Sequence, residues 1–243
     1  MDPIKLFVTG TDTNCGKTYV TQQLLQGFKQ LGLRTTALKP VASDCQVVDQ
    51  GFIPASFLKS DGYRNQDALI LQQASTVQLP YKMVNPVAFL PPISPNIAAE
   101  QIHFNLTVEK LISLSKPGLE IQSDIVLVEG CGGWMCPLNQ QETMADYVRE
   151  LKMPVILVVG LRLGCLNHSL LTWNLIRQDK IPFAGWIANQ LDEKMLFLRE
   201  NIQTLQSFLG SPPLAFLPHQ QSFNKETSQA ILRQLQTQIV SKV

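Results

Sequence analysis

Near the N-terminus an apolar run, Ile4-Lys5-Leu6-Phe7-Val8, leads into Gly10-Thr11-Asp12-Thr13-Asn14-Cys15-Gly16-Lys17-Thr18. The next segment carries Val20, Leu24, Leu25, Phe28 and Leu31 at helical spacing and is stopped by Gly32. A strand, a glycine-bounded loop and a helix start with Gly-Lys-Thr at the junction make a phosphate cradle. Loop N–H groups and the helix N-terminus converge on one spot and favour an anion there. Lys17 adds a point charge for the outer phosphates, and the Thr18 hydroxyl is placed to reach a Mg²⁺. Five residues separate Gly10 from Gly16, one more than in the common form of the motif. The expectation is a nucleoside triphosphate-binding chain.

The 243 residues are 45% hydrophobic, enough for one sizeable core, so residues 1–243 are read as one domain. A net charge of +1 supplies no field to draw the chain to nucleic acid or a membrane surface. The longest clean apolar run, Val155 to Leu161, is too short to span a bilayer, and the N-terminus lacks a signal-peptide pattern. Five cysteines without a Cys-x-x-Cys pair and three scattered histidines argue against a disulfide framework or a zinc site. A reducing cytoplasm fits that usage.

Short β-rich runs alternate with helical patterns. Strands are expected at Ile4–Thr9, Thr35–Lys39, Asp124–Glu129, Val155–Gly160, Phe183–Asn189 and Leu214–Leu217. Helices are expected at Lys17–Leu31, Asp67–Ala74, Val108–Ser115, Ala145–Leu151, His168–Gln178, Met195–Leu209 and Ser228–Val240. Strands apolar throughout, such as Ile125-Val126-Leu127-Val128, are those of a parallel sheet covered on both faces. The pattern gives an α/β class: a doubly wound, mostly parallel sheet flanked by helices, like the P-loop nucleoside triphosphate hydrolases. Ligands then bind at the carboxyl ends of the strands. The proline-punctuated stretch from Val41 to Asn105 reads as an excursion beside the site.

Two further elements sit at strand ends. Glu129 closes an apolar strand and is followed by Gly130-Cys131-Gly132-Gly133. Beside a phosphate loop, such an acid holds Mg²⁺ directly or through water, and the glycines allow close approach to phosphates. By itself the same pattern also reads as a cap and a turn. Lys39 ends the next strand before Pro40, aimed at the same crevice, where it suits a developing anion; a solvated surface lysine is the other reading. Asp67, after Arg64-Asn65-Gln66, lies near a helix start and by itself reads as a cap.

With these elements in order, the chain resembles dethiobiotin synthetase over nearly its whole length. The resemblance is carried by Phe7-Val8-Thr9-Gly10-Thr11-Asp12-Thr13, Gly16-Lys17-Thr18, Lys39-Pro40-Val41-Ala42-Ser43, Arg64-Asn65-Gln66-Asp67-Ala68-Leu69, Asn85-Pro86, Ser94-Pro95, Val128-Glu129-Gly130, Gly132-Gly133-Trp134, Leu163-Gly164-Cys165-Leu166-Asn167-His168 and Gly185-Trp186-Ile187-Ala188-Asn189. It departs at Asn14 and Cys15, where an acid and valine are expected, at Cys131 for a small alanine, at Asn96 for histidine, and after Pro218.

The resemblance implies an ATP- and Mg²⁺-dependent cyclo-ligase that takes diaminopelargonate, CO₂ or bicarbonate, and ATP. One amine becomes a carbamate, ATP phosphorylates it, and the second amine closes the ureido ring. Lys17 and Lys39 are then catalytic, and Thr18, Asp67 and Glu129 hold the metal. Asn14, Cys15, Gly16, Lys17, Thr18, Tyr19, Gly130, Cys131 and Gly132 bind the phosphate end of the nucleotide. Asn189 and Gln190 face adenine, with Pro218, His219 and Gln220 nearby. Thr13, Ser43 and Asn167 bind the substrate, Asn167 from the partner of a homodimer; as a residue type Asn167 also suits a cap for the helix at His168. Cys15, at a helix N-terminus, reads either as a reactive thiol or as a small apolar filler.

Two rival classes share the fold. Switch ATPases of the ParA and MinD type resemble the chain in the loop but usually carry an early lysine where this chain has Asp12. Glutamine-dependent amidoligases of cobalamin synthesis need a further glutaminase domain, for which 243 residues leave no room.

Overall fold

The computed structural model describes residues 3–47 and 62–240. In chain order these form β1 (Ile4–Gly10), α1 (Lys17–Gln30), β2 (Thr35–Leu38), β3 (Val41–Ala42), β4 (Cys45–Val47), β5 (Tyr63–Asn65), α2 (Gln66–Ala74), α3 (Tyr81–Val84), β6 (Val87–Ala88), α4 (Pro95–Gln101), α5 (Val108–Leu119), β7 (Ile125–Glu129), α6 (Met144–Leu151), β8 (Val155–Leu161), α7 (Cys165–Gln178), β9 (Phe183–Gln190), α8 (Leu198–Leu209), β10 (Ala215–Leu217) and α9 (Lys225–Val240).

Six parallel strands make the central sheet in the order β10-β9-β8-β1-β7-β2. The chain runs outward from β1 to β2, returns through β7, and then builds the other half from β8 to β10. The crevice lies where that direction reverses, at the carboxyl end of β1. Register places the acid: Ile4 pairs with Ile125 and Val8 with Glu129, so Glu129 ends β7 level with the start of the phosphate loop.

Strand side chains alternate between two layers because successive residues point to opposite faces. Leu6, Val8, Ile125 and Leu127 pack under α1 and α9 through Leu24, Phe28, Ile231 and Leu235. Phe7, Val126 and Val128 face α5 and α6 through Leu111, Tyr147 and Val148. Toward the far edge, Leu157, Val159 and Trp186 are covered by α7 and α8. Both faces are thus dry, which is why these strands read as apolar throughout. Among the described residues no helix is long and apolar enough to cross a membrane.

Several boundaries differ from the sequence expectation. The helix α5 runs to Leu119 through Pro117 instead of ending at Ser115. Burial of Leu119 and of Gly118 beside Leu38 holds the extra turn; a Cβ on Gly118 would lie 2.6 Å from Leu38 Cδ2. The helix α7 begins at Cys165, not His168, behind a left-handed Gly164 at φ 94°. The helix α8 begins later, at Leu198 in place of Met195, and α9 earlier, where Asn224 Oδ1 accepts the Thr227 N–H. Within the excursion, the pairs β3–β6 and β4–β5 and the helices α3 and α4 carry no periodic signal, because elements of two to seven residues are too short for a period to repeat in them. Part of that excursion, 48–61, lies outside the described residues.

Leu24 is 1% exposed in the layer beneath α1. Leu24→Ala is expected to lower the unfolding free energy by about 3 kcal/mol in urea titration; an unchanged midpoint would mean that this layer does not hold the sheet.

Candidate active site

The phosphate loop turns through two left-handed residues, Asn14 at φ 60° and Gly16 at φ 87°. Its backbone rests on neighbouring strands at contacts that tolerate no side chain. A Cβ on Gly160 of β8 would lie 2.9 Å from Cys15 Cα, and one on Gly16 would lie 2.1 Å from Asn189 Nδ2. Asn189 donates to the Cys15 carbonyl at 3.0 Å and so ties the loop to β9. Lys17 Nζ arches back to donate to the Asp12 carbonyl at 3.0 Å. The Asp12 carboxylate pairs with Arg162 Nη2 at 2.9 Å, fastening the loop to the end of β8. Cys15 is 1% exposed among apolar residues, which supports the filler reading over a reactive thiol.

A charged cluster closes the crevice. Glu129 is fully buried, and its Oε1 accepts from Thr18 Oγ1 at 2.8 Å and from Lys39 Nζ at 2.7 Å. Asp67 Oδ2 lies 3.4 Å from the same ammonium. Burial opposes the charge on Lys39, but the carboxylates of Glu129 and then Asp67 outweigh it and hold its pKa above the ordinary lysine value. A raised value keeps Lys39 cationic throughout the neutral range. Its pair stabilises the fold below the ordinary lysine pKa, and that contribution fades only as pH climbs through the raised value.

The backbone of Lys39 is framed by residues to which sequence reasoning assigned no role. Asn85 Nδ2 donates to the Lys39 carbonyl at 2.6 Å, and Tyr81 Oη donates to Asn85 Oδ1 at 3.0 Å. Tyr81 Oη also accepts the Asn65 N–H at 2.7 Å, while Asn65 Nδ2 donates to the Ser43 carbonyl at 2.9 Å. Burial pushes the Tyr81 phenol up to about 12, so its proton stays in place for this relay. Asn65 Oδ1 also accepts the Ala68 N–H and caps α2, so Asp67 sits in the first turn and is not the cap. Asn85-Pro86 and Arg64-Asn65 belong to the segments that carry the resemblance, and that was their only signal.

A cavity of about 660 Å³ opens onto this cluster. Of the expected residues, Thr13, Asn14, Gly16, Lys17, Thr18, Tyr19, Lys39, Ser43, Asp67, Cys131 and Gly132 line it. Glu129 and Cys15 lie beneath its wall, and Gly130 is bound to β1 through the Val8 carbonyl at 3.0 Å. Asn189, Gln190, Pro218, His219 and Gln220 gather beyond Gly16. The His219 N–H donates to Gln190 Oε1 at 3.4 Å, and Tyr19 Oη donates to the Gln221 carbonyl at 2.8 Å, which brings the turn after β10 against α1. Asn167 is not brought to the cavity of its own chain. It lies in the first turn of α7 and does not cap it, Gly164 taking that place.

Two buried oxygens in this region, Glu129 Oε2 and Ser43 Oγ, have no hydrogen-bond partner. An unpaired buried carboxylate oxygen beside a threonine hydroxyl and a second carboxylate is an all-oxygen donor set, which fits Mg²⁺.

A family model described as an AAA domain matches residues 5–227. The ATP-dependent dethiobiotin synthetase BioD of Cellvibrio japonicus is 46% identical over 212 residues, 87% of this chain and 88% of the relative. That of Marinobacter nauticus is 41% identical over 228 residues, 93% and 92% of the two chains. Among solved structures, the septum site-determining protein MinD complexed with Mg-ADP from Pyrococcus horikoshii is similar at TM-score 0.51 and 17% identity, covering 96% of this chain and 86% of that one. A ParA family ATPase from Chlorobium tepidum is similar at TM-score 0.50 and 14% identity, covering 98% and 93%. At those identities the likeness is one of fold, that of the P-loop nucleotide-binding proteins.

Gly16→Ala combines left-handed strain with a collision at Asn189. It is expected to weaken Mg-ATP binding about tenfold or more in calorimetry; wild-type affinity would show that the loop does not need this close approach.

Proposed function

The chain belongs to the dethiobiotin synthetase family, ATP-dependent ligases of biotin synthesis, and from that premise we propose that residues 1–243 act as one domain that carboxylates 7,8-diaminopelargonate and closes its ureido ring. The observation that carries this reading is the buried Glu129 carboxylate, joined to both Thr18 and Lys39 at the edge of the phosphate loop. A ring-closing ligase must gather a carbamate, a γ-phosphate and a departing diphosphate in one place. Preorganised cations offset that charge without reorganising during the reaction.

One substrate amine adds to CO₂, forming a C–N bond and releasing a proton. A carbamate oxygen then attacks the γ-phosphorus, the bond to the β-phosphate oxygen breaks, and ADP leaves. The second amine attacks the carbonyl of this mixed anhydride and expels phosphate, which closes the ring. Lys17, held over the loop by the Asp12 carbonyl, offsets charge on the transferred phosphoryl group. Lys39 stays cationic by virtue of its two carboxylates and faces the carbamate. The unpartnered Ser43 hydroxyl is available to donate to the carbamate, and Thr13 contacts the substrate beside it. Thr18, Asp67 and Glu129 would hold Mg²⁺, which when bound neutralises phosphate charge and orients the oxygens. Asn189, Gln190 and the turn of Pro218, His219 and Gln220 receive the adenine. Because ring closure is intramolecular, positioning supplies much of the rate.

The reading includes a homodimer in which Asn167 enters the partner's site. Its support is the exposure of this segment: Asn167 in the first turn of α7 is exposed, Leu171 one turn further on is 59% exposed, and Leu163 just before the helix is 99% exposed. Exposed leucines beside an exposed amide suit a surface that both covers apolar area and meets a polar ligand.

The deciding experiment incubates the purified protein with diaminopelargonate, bicarbonate, Mg²⁺ and ATP and follows ureido product together with phosphate release. Equimolar product and phosphate are expected; ATP hydrolysis without product would sink the assignment. Lys39→Ala should lose turnover by about a hundredfold or more while still binding ATP, and wild-type turnover would remove its catalytic role. Mixing Lys39→Ala with Asn167→Ala subunits should recover activity that neither variant has by itself, since one site of the mixed dimer keeps both residues. No recovery would mean that Asn167 does not serve the partner's site.

A further inference from the structure

The turn that follows Glu129 holds a feature that the ring-closing reaction does not use. Cys131 and Cys136 are both free thiols, and their Sγ atoms lie 3.4 Å apart. Both are half-buried and line the cavity of about 660 Å³, so a small polar oxidant reaches them from the substrate side. The other three cysteines, Cys15, Cys45 and Cys165, are buried.

We propose that Cys131 and Cys136 are an oxidation site for hydroperoxides, closing a reversible intrachain disulfide that disables the adjoining phosphate loop. One thiol sulfur attacks a peroxide oxygen, the O–O bond breaks, and a sulfenic acid and water (or an alcohol) result. The second thiol attacks that sulfur, the S–S bond forms, and a second water leaves. The two thiols together lose two electrons and two protons, and the peroxide gains them.

The turn determines the consequence. A disulfide needs its sulfurs about 2 Å apart, so the pair must close by about 1.4 Å. Neither end of the turn gives easily. The Gly130 N–H is bonded to the Val8 carbonyl at 3.0 Å, and the Cys136 carbonyl accepts the Met144 N–H at 2.8 Å. Strain therefore falls on Cys131, Gly132 and Gly133, and the glycines make that stretch deformable. Gly132 sits at φ 57°, and a Cβ built on it would lie 4.0 Å from Thr13 Oγ1. One built on Gly133 would lie 3.7 Å from the Gly10 carbonyl and 3.8 Å from that of Thr11. This turn therefore lies alongside the first half of the phosphate loop, and moving it changes what the loop rests on.

The test uses the full chain, reduced and desalted, then treated with a few equivalents of hydrogen peroxide. Free thiols are alkylated, and tryptic peptides are weighed. The peptide that carries both cysteines should become lighter by two hydrogens and take up no alkyl group. Affinity for a fluorescent ATP analogue with Mg²⁺ should fall by about tenfold or more, and dithiothreitol should restore mass and affinity together. Cys136→Ser, compared with its own reduced state, should show no crosslink and no dithiothreitol-reversible loss of affinity. Alkylation of both residues after peroxide, a crosslink to another cysteine, or a crosslink that leaves affinity unchanged would each overturn the proposal. None of these measurements depends on the ring-closing reaction, so its failure and theirs are separately visible.

Discussion

Glu129 is fully buried, and a single one of its oxygens receives Thr18 at 2.8 Å and Lys39 at 2.7 Å. A buried carboxylate is tolerated only when paired, and taking away one partner strands the rest at a cost of several kcal/mol. The three residues come from the start of α1, the end of β2 and the end of β7, so this one knot requires the strand register. Val8 must pair with Glu129, and Leu38 with Val128, for the side chains to meet. Its remaining oxygen has no hydrogen-bond partner. One strong acceptor is thereby left over at the edge of the phosphate loop.

Around that knot the phosphate loop is held by the close approach of its backbone to the Asn189 side chain and to β8. Gly16 lets it rest on Asn189, and Gly160 lets it rest on β8. The ion pair of Asp12 with Arg162 joins the loop to the stretch that enters α7, whose first turn exposes Asn167. Asp12 thereby ties the loop to the segment proposed to serve a partner's site.

Legibility followed the length over which a physical signal could accumulate. The strands β7 and β8 are dry on both faces and announce themselves in four and seven consecutive apolar residues. The helix α1 repeats its buried face over four turns. Lys17, Thr18, Lys39 and Glu129 were found because each stands at a strand end or a helix start. The missed parts were short or conditional. The strands β3 and β6 are two residues each and exist only because they pair with each other. The start of α7 was misplaced because Gly164, a residue that usually ends helices, opens this one in a left-handed conformation. Asn167 looked like a cap for the same reason. The frame of Asn65, Tyr81 and Asn85 behind Lys39 spans residues that share no periodicity and meet only in space.

By itself, the amino-acid sequence determined the class of fold, the phosphate loop and the identity of the charged groups, since these depend on local composition and on spacing within one element. Tertiary structure decided which charges touch. It put Lys39 between two carboxylates, set Asn65 and not Asp67 as the cap of α2, buried Cys15, and brought Cys131 to Cys136 above the loop. Those outcomes rest on strand register and on glycine contacts between distant segments. A chain read in order does not hold such distances until the sheet is assembled.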